Sequence, residues 1–293
     1  MCIRNFSSAS RFCLDGQRVV YSVSAKWGTL QKKKPSLGQN FLVDDAAVLR
    51  IVEALGDLRA RVVVEVGPGR GAITDLLAAR AGTLIAVELD RTLGPALAEK
   101  YAGNPVVRLL QQDILSVDLT AVVRELAGDG RGLLVGNLPY YITSDILLHI
   151  ADHADALELA VVMMQREVAE RVTAMPGTRE YGMLSATVQM MAQAEMLFTL
   201  PPSAFRPPPN VHSTVVRLRM KPRYEELGVE RAGFERFLRI AFAQKRKTLA
   251  NNLRSGGYES RQVGYAMAGM DADVRAEAVA LEAMARVYRA LVA

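Results

Sequence analysis

Cysteine is nearly absent from this sequence of 293 residues, and both copies, Cys2 and Cys13, fall near its start. Everything after them lacks a disulfide framework and a thiolate metal cluster, which suits a reducing compartment. Long apolar runs are lacking too. Arg, Asp, Glu or Gly interrupts every hydrophobic stretch before the roughly 18 to 20 residues that span a bilayer, which excludes an integral membrane protein built of helices. Histidine occurs only as His149, His153 and His212, in no ligand spacing such as H-E-x-x-H, and no metal is expected. His149 and His153, four apart, are expected on a solvated helix surface. With 50% hydrophobic and 23% charged residues, the rest reads as a soluble globule with ample core, too apolar for disorder. At this length, one large and one small domain are expected.

The formal net charge of +5 is unevenly spread. Residues 1–34 hold seven Lys or Arg against Asp15 alone, so the remainder is slightly acidic. Against that background, Arg236, Arg239, Lys245, Arg246, Lys247 and Arg254 face one acid, Glu235, between positions 235 and 254. A third cluster, Arg206, Arg217, Arg219 and Lys221, has no acid between positions 200 and 221. A lone Lys-Arg-Lys is as readily a solvated helix face. Three clusters are the footprint of a polyanion partner, because each phosphate neutralised releases counterions.

Residues 1–31 show no sustained period and are rich in Ser and Arg, which predicts a poorly ordered N-terminal extension. Their composition resembles a mitochondrial transit peptide, while the lack of an apolar h-region argues against secretion. The expected location is cytoplasmic, or the mitochondrial matrix should the extension be such a peptide. Ordered structure is expected from about Lys34. Over residues 44–55, Val48, Ile51, Val52 and Leu55 recur at helical spacing, with Asp44 or Asp45 as cap and Gly56 as stop. β-Branched runs at residues 62–66, 84–87, 106–110 and 133–135 alternate with Ala- and Leu-rich segments. That alternation predicts an α/β fold with a parallel, doubly wound sheet covered on both faces. A strand at 159–163, helices at 166–173 and near 184–194, and terminal strands at 196–200 and 211–218 complete a domain over residues 32–220. Five of the twelve prolines fall in residues 201–209, which must be a stiff loop. Residues 221–293 carry only short amphipathic helical patterns, broken at Gly256, Gly257 and Gly269, and are expected to form a small all-α domain.

The first chemical motif, Glu65-Val66-Gly67-Pro68-Gly69-Arg70-Gly71, follows the first sheet strand and opens a helix. Glycines at such a turn let backbone approach a ligand and aim helix N-terminal amides at it. Glu88, ending the second strand, can accept both hydroxyls of a ribose. NAD and an adenosyl-sulfonium cofactor fit equally so far. Asp113, after the third strand, is placed either to accept from an adenine amino group or merely to cap its loop. Gly136-Asn137-Leu138-Pro139-Tyr140-Tyr141 closes the fourth strand, at the edge where open α/β sheets bind ligands. Asn137 offers a carbonyl acceptor, Pro139 stiffens the turn and leaves neighbouring carbonyls free, and Tyr140 offers a flat face. Two acceptors can hold the hydrogens of an exocyclic amine while its ring stacks on the aromatic.

Taken together, these stretches strongly resemble the ribosomal RNA adenine dimethyltransferases, and within them the small-subunit KsgA/RsmA enzymes rather than the Erm resistance enzymes. The resemblance runs from about Lys34 to the C-terminus. Further islands carry it: Gly38-Gln39-Asn40-Phe41-Leu42, Glu88-Leu89-Asp90, Gln112-Asp113, Gln165-Arg166-Glu167-Val168-Ala169, Tyr181-Gly182-Met183-Leu184-Ser185, Pro201-Pro202-Ser203-Ala204-Phe205 and Gln244-Lys245-Arg246-Lys247-Thr248. It implies a Rossmann-like class I methyltransferase domain with S-adenosyl-L-methionine contacted at Asn40, Leu42, Gly67, Glu88, Asp113 and Asn137. It also implies transfer of two methyl groups to each of two adjacent adenosines in a terminal helix loop of small-subunit rRNA. On that basis Asn137 and the Leu138 carbonyl would accept the amine hydrogens, and Tyr140 and Phe205 would sandwich the base. Arg239, Lys245, Arg246 and Lys247 would meet RNA phosphates, and the partner would be the immature 30S subunit, bound by a monomer. Asn210 and His212 depart from the Lys and Asp common in the family, which puts RNA contacts near the proline loop in doubt. A non-catalytic rRNA-binding assembly factor on the same fold is the alternative from another class.

Overall fold

A computed structural model describes residues 39–293, so the expected extension over residues 1–31, the start near Lys34 and Gly38 of the first island lie outside the described residues. The short strand β1 (Phe41–Leu42) leads into α1 (Asp45–Glu53), capped by Asp44, whose carboxylate accepts the Ala47 N–H at 3.0 Å. Strand and helix then alternate. β2 (Val62–Val66), α2 (Ala72–Ala78), β3 (Thr83–Val87), α3 (Gly94–Lys100), β4 (Val107–Leu110), α4 (Leu119–Ala127), β5 (Gly132–Asn137), α5 (Thr143–Asp152) and β6 (Leu157–Gln165) follow one another as the β-branched runs predict. α6 (Arg166–Val172) and α7 (Met183–Met191) precede β7 (Ala192–Leu200), the two-residue β8 (Phe205–Arg206) and β9 (Ser213–Met220).

Seven strands form one sheet in the order β4-β3-β2-β5-β6-β9-β7, while β8 pairs antiparallel with β1 outside it. Both faces of the sheet are covered. Val62, Val64 and Val66 point to one apolar cluster with α4 and α5, and Val63 points to another with α1 and α2, as period-2 geometry requires. Burial on both sides is why these strands read as unbroken apolar runs. The wholly parallel sheet is corrected in one respect: β9 runs antiparallel to both β6 and β7. β7 returns to β9 through the proline loop, a direct reversal that needs no crossover helix and therefore makes an antiparallel pair.

After β9 the chain is helical: α8 (Tyr224–Leu227), α9 (Arg231–Ala241), α10 (Leu249–Ser255), α11 (Ser260–Ala266) and α12 (Leu281–Val292). Their core gathers Phe234, Phe237, Leu253, Met284 and Tyr288, and it includes Tyr181, Ala186 and Met190 from in and around α7. Phe234 and Phe237 stack at 5.7 Å, and Tyr288 packs against both rings. Among the described residues no helix is long and apolar enough to cross a membrane.

Candidate active site

The carboxyl ends of β2, β3 and β5 meet at one edge of the sheet, and the turn after β2 is shaped by its glycines. Gly69 has φ of 60°, and a Cβ there would stand 3.1 Å from the Phe41 ring. Only glycine lets that ring lie over the turn. Glu88, just past β3, is 4% exposed. Its Oε2 accepts the Gly69 N–H at 3.0 Å and its Oε1 accepts the Asp90 N–H at 2.8 Å. One carboxylate thus ties two strand ends together, and each oxygen keeps a lone pair for a ligand.

Two adjoining recesses open here and share Gln39, Gly67, Glu88 and Pro139. The first is mostly apolar, walled by Leu89, Ile114, Tyr141, Ile142 and Ile146, with Asp113 as a carboxylate. Asp113 Oδ1 caps its own loop by accepting the Leu115 N–H at 3.0 Å, which leaves Oδ2 without a partner among the described residues. Both expected roles are therefore open to the same side chain. Tyr141, 57% exposed, also stands at this wall, a placement that an aromatic beside Tyr140 does not signal in the sequence.

The second recess brings together Asn40, Phe41, Gly69, Asn137, Leu138 and Tyr140. Gly136 lets β5 lie tight against β2, since a Cβ there would stand 2.6 Å from the Val66 carbonyl oxygen. Asn137 Nδ2 donates to the Asn40 carbonyl at 2.9 Å. A carbonyl can only accept, so this bond fixes which way the amide points and leaves Oδ1 as an acceptor without a partner among the described residues. Among the neighbouring carbonyls, that of Pro139 is already used by Thr143 Oγ1 at 2.9 Å and by the Ile142 N–H at 3.2 Å. The Leu138 N–H donates to Met163, and its carbonyl receives nothing from the described residues. Tyr140 is held by its hydroxyl, 2.7 Å from buried Ser213 Oγ, and partial burial raises its pKa while that bond lowers it.

Two expected site residues are not brought to these recesses. Leu42 and Phe205 are register partners across β1 and β8, with side chains 5% and 0% exposed in the core. A ring with no exposed surface offers no free face to a base, so of the two expected stacking rings only Tyr140 lines the recess. A larger cleft, about 530 Å³, lies elsewhere, around Tyr181, Arg179 and Lys245, and holds none of the acceptors just described.

A family model described as Ribosomal RNA adenine dimethylase matches residues 30–292. The chain belongs to this family. Ribosomal RNA small subunit methyltransferase A of Acidobacterium capsulatum is 58% identical over 262 residues, covering 89% of this chain and 92% of the relative. The protein of the same name from Koribacter versatilis is 51% identical, covering 92% and 98%. Among solved structures, the 23S rRNA methyltransferase ErmE aligns with TM-score 0.65 and 28% identity over 87% of this chain and all of that one. A dimethyladenosine transferase from Plasmodium falciparum shares the fold, with TM-score 0.71 at 21% identity over 84% and 95% of the two chains.

Within this dimethylase, Arg239 is exposed on α9, and Lys245 and Arg246 are exposed on the connection that follows it. Lys245 Nζ reaches the Arg179 carbonyl and Lys247 Nζ reaches Ser255 Oγ, each at 3.4 Å, and neither lysine is paired with an acid among the described residues. Asn210 and His212 line a shallow recess beside Gln165 and Arg166, and the His212 carbonyl accepts the Arg166 N–H at 3.0 Å. The histidine pair at the C-terminal end of α5 corrects the expectation of a solvated surface. His149 Nε2 lies 3.0 Å from the Val117 carbonyl, His153 Nδ1 lies 2.9 Å from the His149 carbonyl, and the rings are 4.5 Å apart. Both are half-buried because α5 packs against the loop before α4, and burial, then the neighbouring His153, lowers the pKa of His149.

Glu65, in β2 behind the glycine turn, is 1% exposed with Oε2 unpartnered. Burial pushes its pKa up to about 8, with Glu88 and Asp75 adding to the effect. The folded protein therefore holds a proton that the unfolded chain releases. Stability contributed by this group below pH 4.5 is lost as pH rises toward about 8. In urea titrations, Glu65→Gln is expected to gain on the wild type steadily between about pH 5 and about pH 8. A midpoint difference that stays constant with pH would mean that Glu65 titrates normally in the fold.

Proposed function

We propose that this protein transfers methyl groups from S-adenosyl-L-methionine to N6 of two adjacent adenosines in the 3′-terminal helix loop of small-subunit (16S) rRNA. Dimethyladenosines form as the subunit matures in the cytoplasm, and the enzyme acts as a monomer. The names and identities of its relatives support the substrate and the reaction. The observation that carries the chemistry is the pair of unengaged acceptors, Asn137 Oδ1 and the Leu138 carbonyl, at the strand end beside the Tyr140 face.

The residues present fit the cofactor. Glu88 keeps lone pairs for ribose hydroxyls, Asp113 Oδ2 is free for the adenine amine in an apolar slot, and Gly67 opens the backbone between the two recesses. Bound there, S-adenosylmethionine supplies an electrophilic methyl group on its sulfonium. An adenine amine is a poor nucleophile because its lone pair is delocalised into the ring, so the protein's main task is positioning. Asn137 Oδ1 and the Leu138 carbonyl accept its two hydrogens, which turns the lone pair toward the methyl. Pro139 keeps that turn rigid, and the Tyr140 ring supports the flipped base, a stack contributing about 1 to 3 kcal/mol. No side chain has to act as a base, because the alkylated amine is cationic and releases its proton readily.

The helical segment over residues 221–293 carries the rRNA-binding role, with Arg239, Lys245, Arg246 and Lys247 on phosphates. These contacts position the RNA and say little about its sequence. Lys245→Ala combined with Arg246→Ala is expected to weaken RNA binding and to flatten the plot of log affinity against log salt by about 1 to 2. An unchanged slope in filter binding would remove these residues from the RNA surface.

Incubation with undermethylated small subunits and radiolabelled S-adenosylmethionine, followed by nucleoside mass spectrometry, tests the function. Dimethyladenosine is expected. RNA binding without methyl transfer would favour the assembly-factor alternative, although a binding protein has no use for paired amine acceptors. Calorimetry that finds tight NAD binding and none of S-adenosylmethionine would defeat the assignment.

A further inference from the structure

Phe41 lines the recess that holds Asn137 and Tyr140, and two arginines neighbour it, one over its ring and one across the strand pair. Arg70, at the tip of the glycine turn, puts its guanidinium carbon 4.5 Å from the centre of the Phe41 ring. Arg206, in β8, is the register partner of Phe41 across the β1–β8 pair. Among the described residues its Nη1 donates to two carbonyls, those of Ser203 at 3.3 Å and Phe205 at 2.9 Å. Both arginines are exposed, and neither has a carboxylate partner among the described residues.

Stacking on Phe41 holds the Arg70 guanidinium beside one wall of the recess, and the two carbonyl bonds restrain Arg206 across the register from Phe41, so less side-chain freedom remains to be lost on binding. A base that swings into the recess keeps its own backbone outside, at the rim. Guanidinium forks match phosphate oxygens. We propose that Arg70 and Arg206 hold the backbone phosphates of the flipped adenosine, an anchor for the target strand separate from the basic connection after α9. The assignment rests on the second recess being the adenosine clamp. It gives the proline loop a direct substrate contact that does not depend on Asn210 or His212.

The test uses the full chain with Arg70→Gln, Arg206→Gln and the double variant, on undermethylated small subunits that the wild type methylates. Each substitution is expected to raise the KM for subunits about threefold to fivefold, the range of an exposed ion pair. The plot of log kcat/KM against log salt should flatten by about 0.7 per arginine, the single-strand value. Lysine at either position should restore the slope. Calorimetric affinity for S-adenosylhomocysteine should stay at the wild-type value, which also reports that the variants are folded. Unchanged KM and slope in the double variant would overturn the proposal, and so would a loss of S-adenosylhomocysteine affinity, which would give the pair to the cofactor's carboxylate instead. A wild type that transfers no methyl group would sink the proposed function itself, an outcome distinct from either.

Discussion

An Asn137→Ala enzyme is expected to bind RNA as the wild type does and to turn over at least about a hundredfold more slowly. The separation follows from where the side chain sits. Asn137 is at the end of β5, in the recess, and not among the exposed cations after α9 that are proposed to meet RNA phosphates. In the proposed clamp its removal deletes one of two acceptors for the amine hydrogens, so the lone pair would no longer be aimed. It also frees the Asn40 carbonyl that Nδ2 now holds, which loosens the segment entering β1. Asn137→Asp separates the two losses: it keeps acceptors toward the amine but sets a carboxylate oxygen against the Asn40 carbonyl. Single-turnover rates with saturating subunits are the readout. Near-normal rates in Asn137→Ala would contradict the clamp.

The second large effect is expected at Glu88. Glu88→Ala should weaken S-adenosylhomocysteine binding about a hundredfold or more, because a ribose would lose hydrogen bonds to a charged acceptor, each contributing about 1.5 to 3 kcal/mol. The same change strands the Gly69 and Asp90 N–H groups, which have the Glu88 carboxylate as their acceptor. Glutamine is no substitute. Its NH2 would face one of those N–H donors, so Glu88→Gln should fall nearer to alanine than to the wild type. Calorimetry reads both variants. Wild-type affinity in either would show that the carboxylate only ties the turn together.

Much of this site was legible in the sequence because backbone chemistry was written into residue types. Glycines at 67, 69 and 71 mark a turn that side chains would block, and Asn137-Leu138-Pro139-Tyr140 places acceptors and a ring at a strand end. The alternation of β-branched runs with helical segments gave the order of β2 to β6, since strands buried on both faces need continuous apolar sequence. Strand direction was not legible. Nothing local in β9 distinguishes an antiparallel neighbour from a parallel one, and the proline loop that sets it reads only as a stiff connection. Phe205 shows a related limit. The sequence offers an aromatic beside prolines, but its burial depends on β8 pairing with β1, a contact more than 160 residues away. His149 and His153 show the same limit: their four-residue spacing suggests a solvated helix face, but their partners are the Val117 and His149 carbonyls and the Asp118 carboxylate, two of them on the segment before α4. The bond that orients Asn137 goes to the Asn40 carbonyl, a group that every residue type carries and that no sequence pattern reveals.

In the proposed clamp the two unengaged oxygens of Asn137 and Leu138 grip the amine of a flipped adenine. A crystal structure of the enzyme with S-adenosylhomocysteine and an adenosine-bearing RNA fragment tests it most directly. N6 should lie about 2.7 to 3.2 Å from both Asn137 Oδ1 and the Leu138 carbonyl oxygen, with the base against Tyr140. An adenine seated elsewhere, or an Asn137 amide turned so that Nδ2 faces the base, would contradict it.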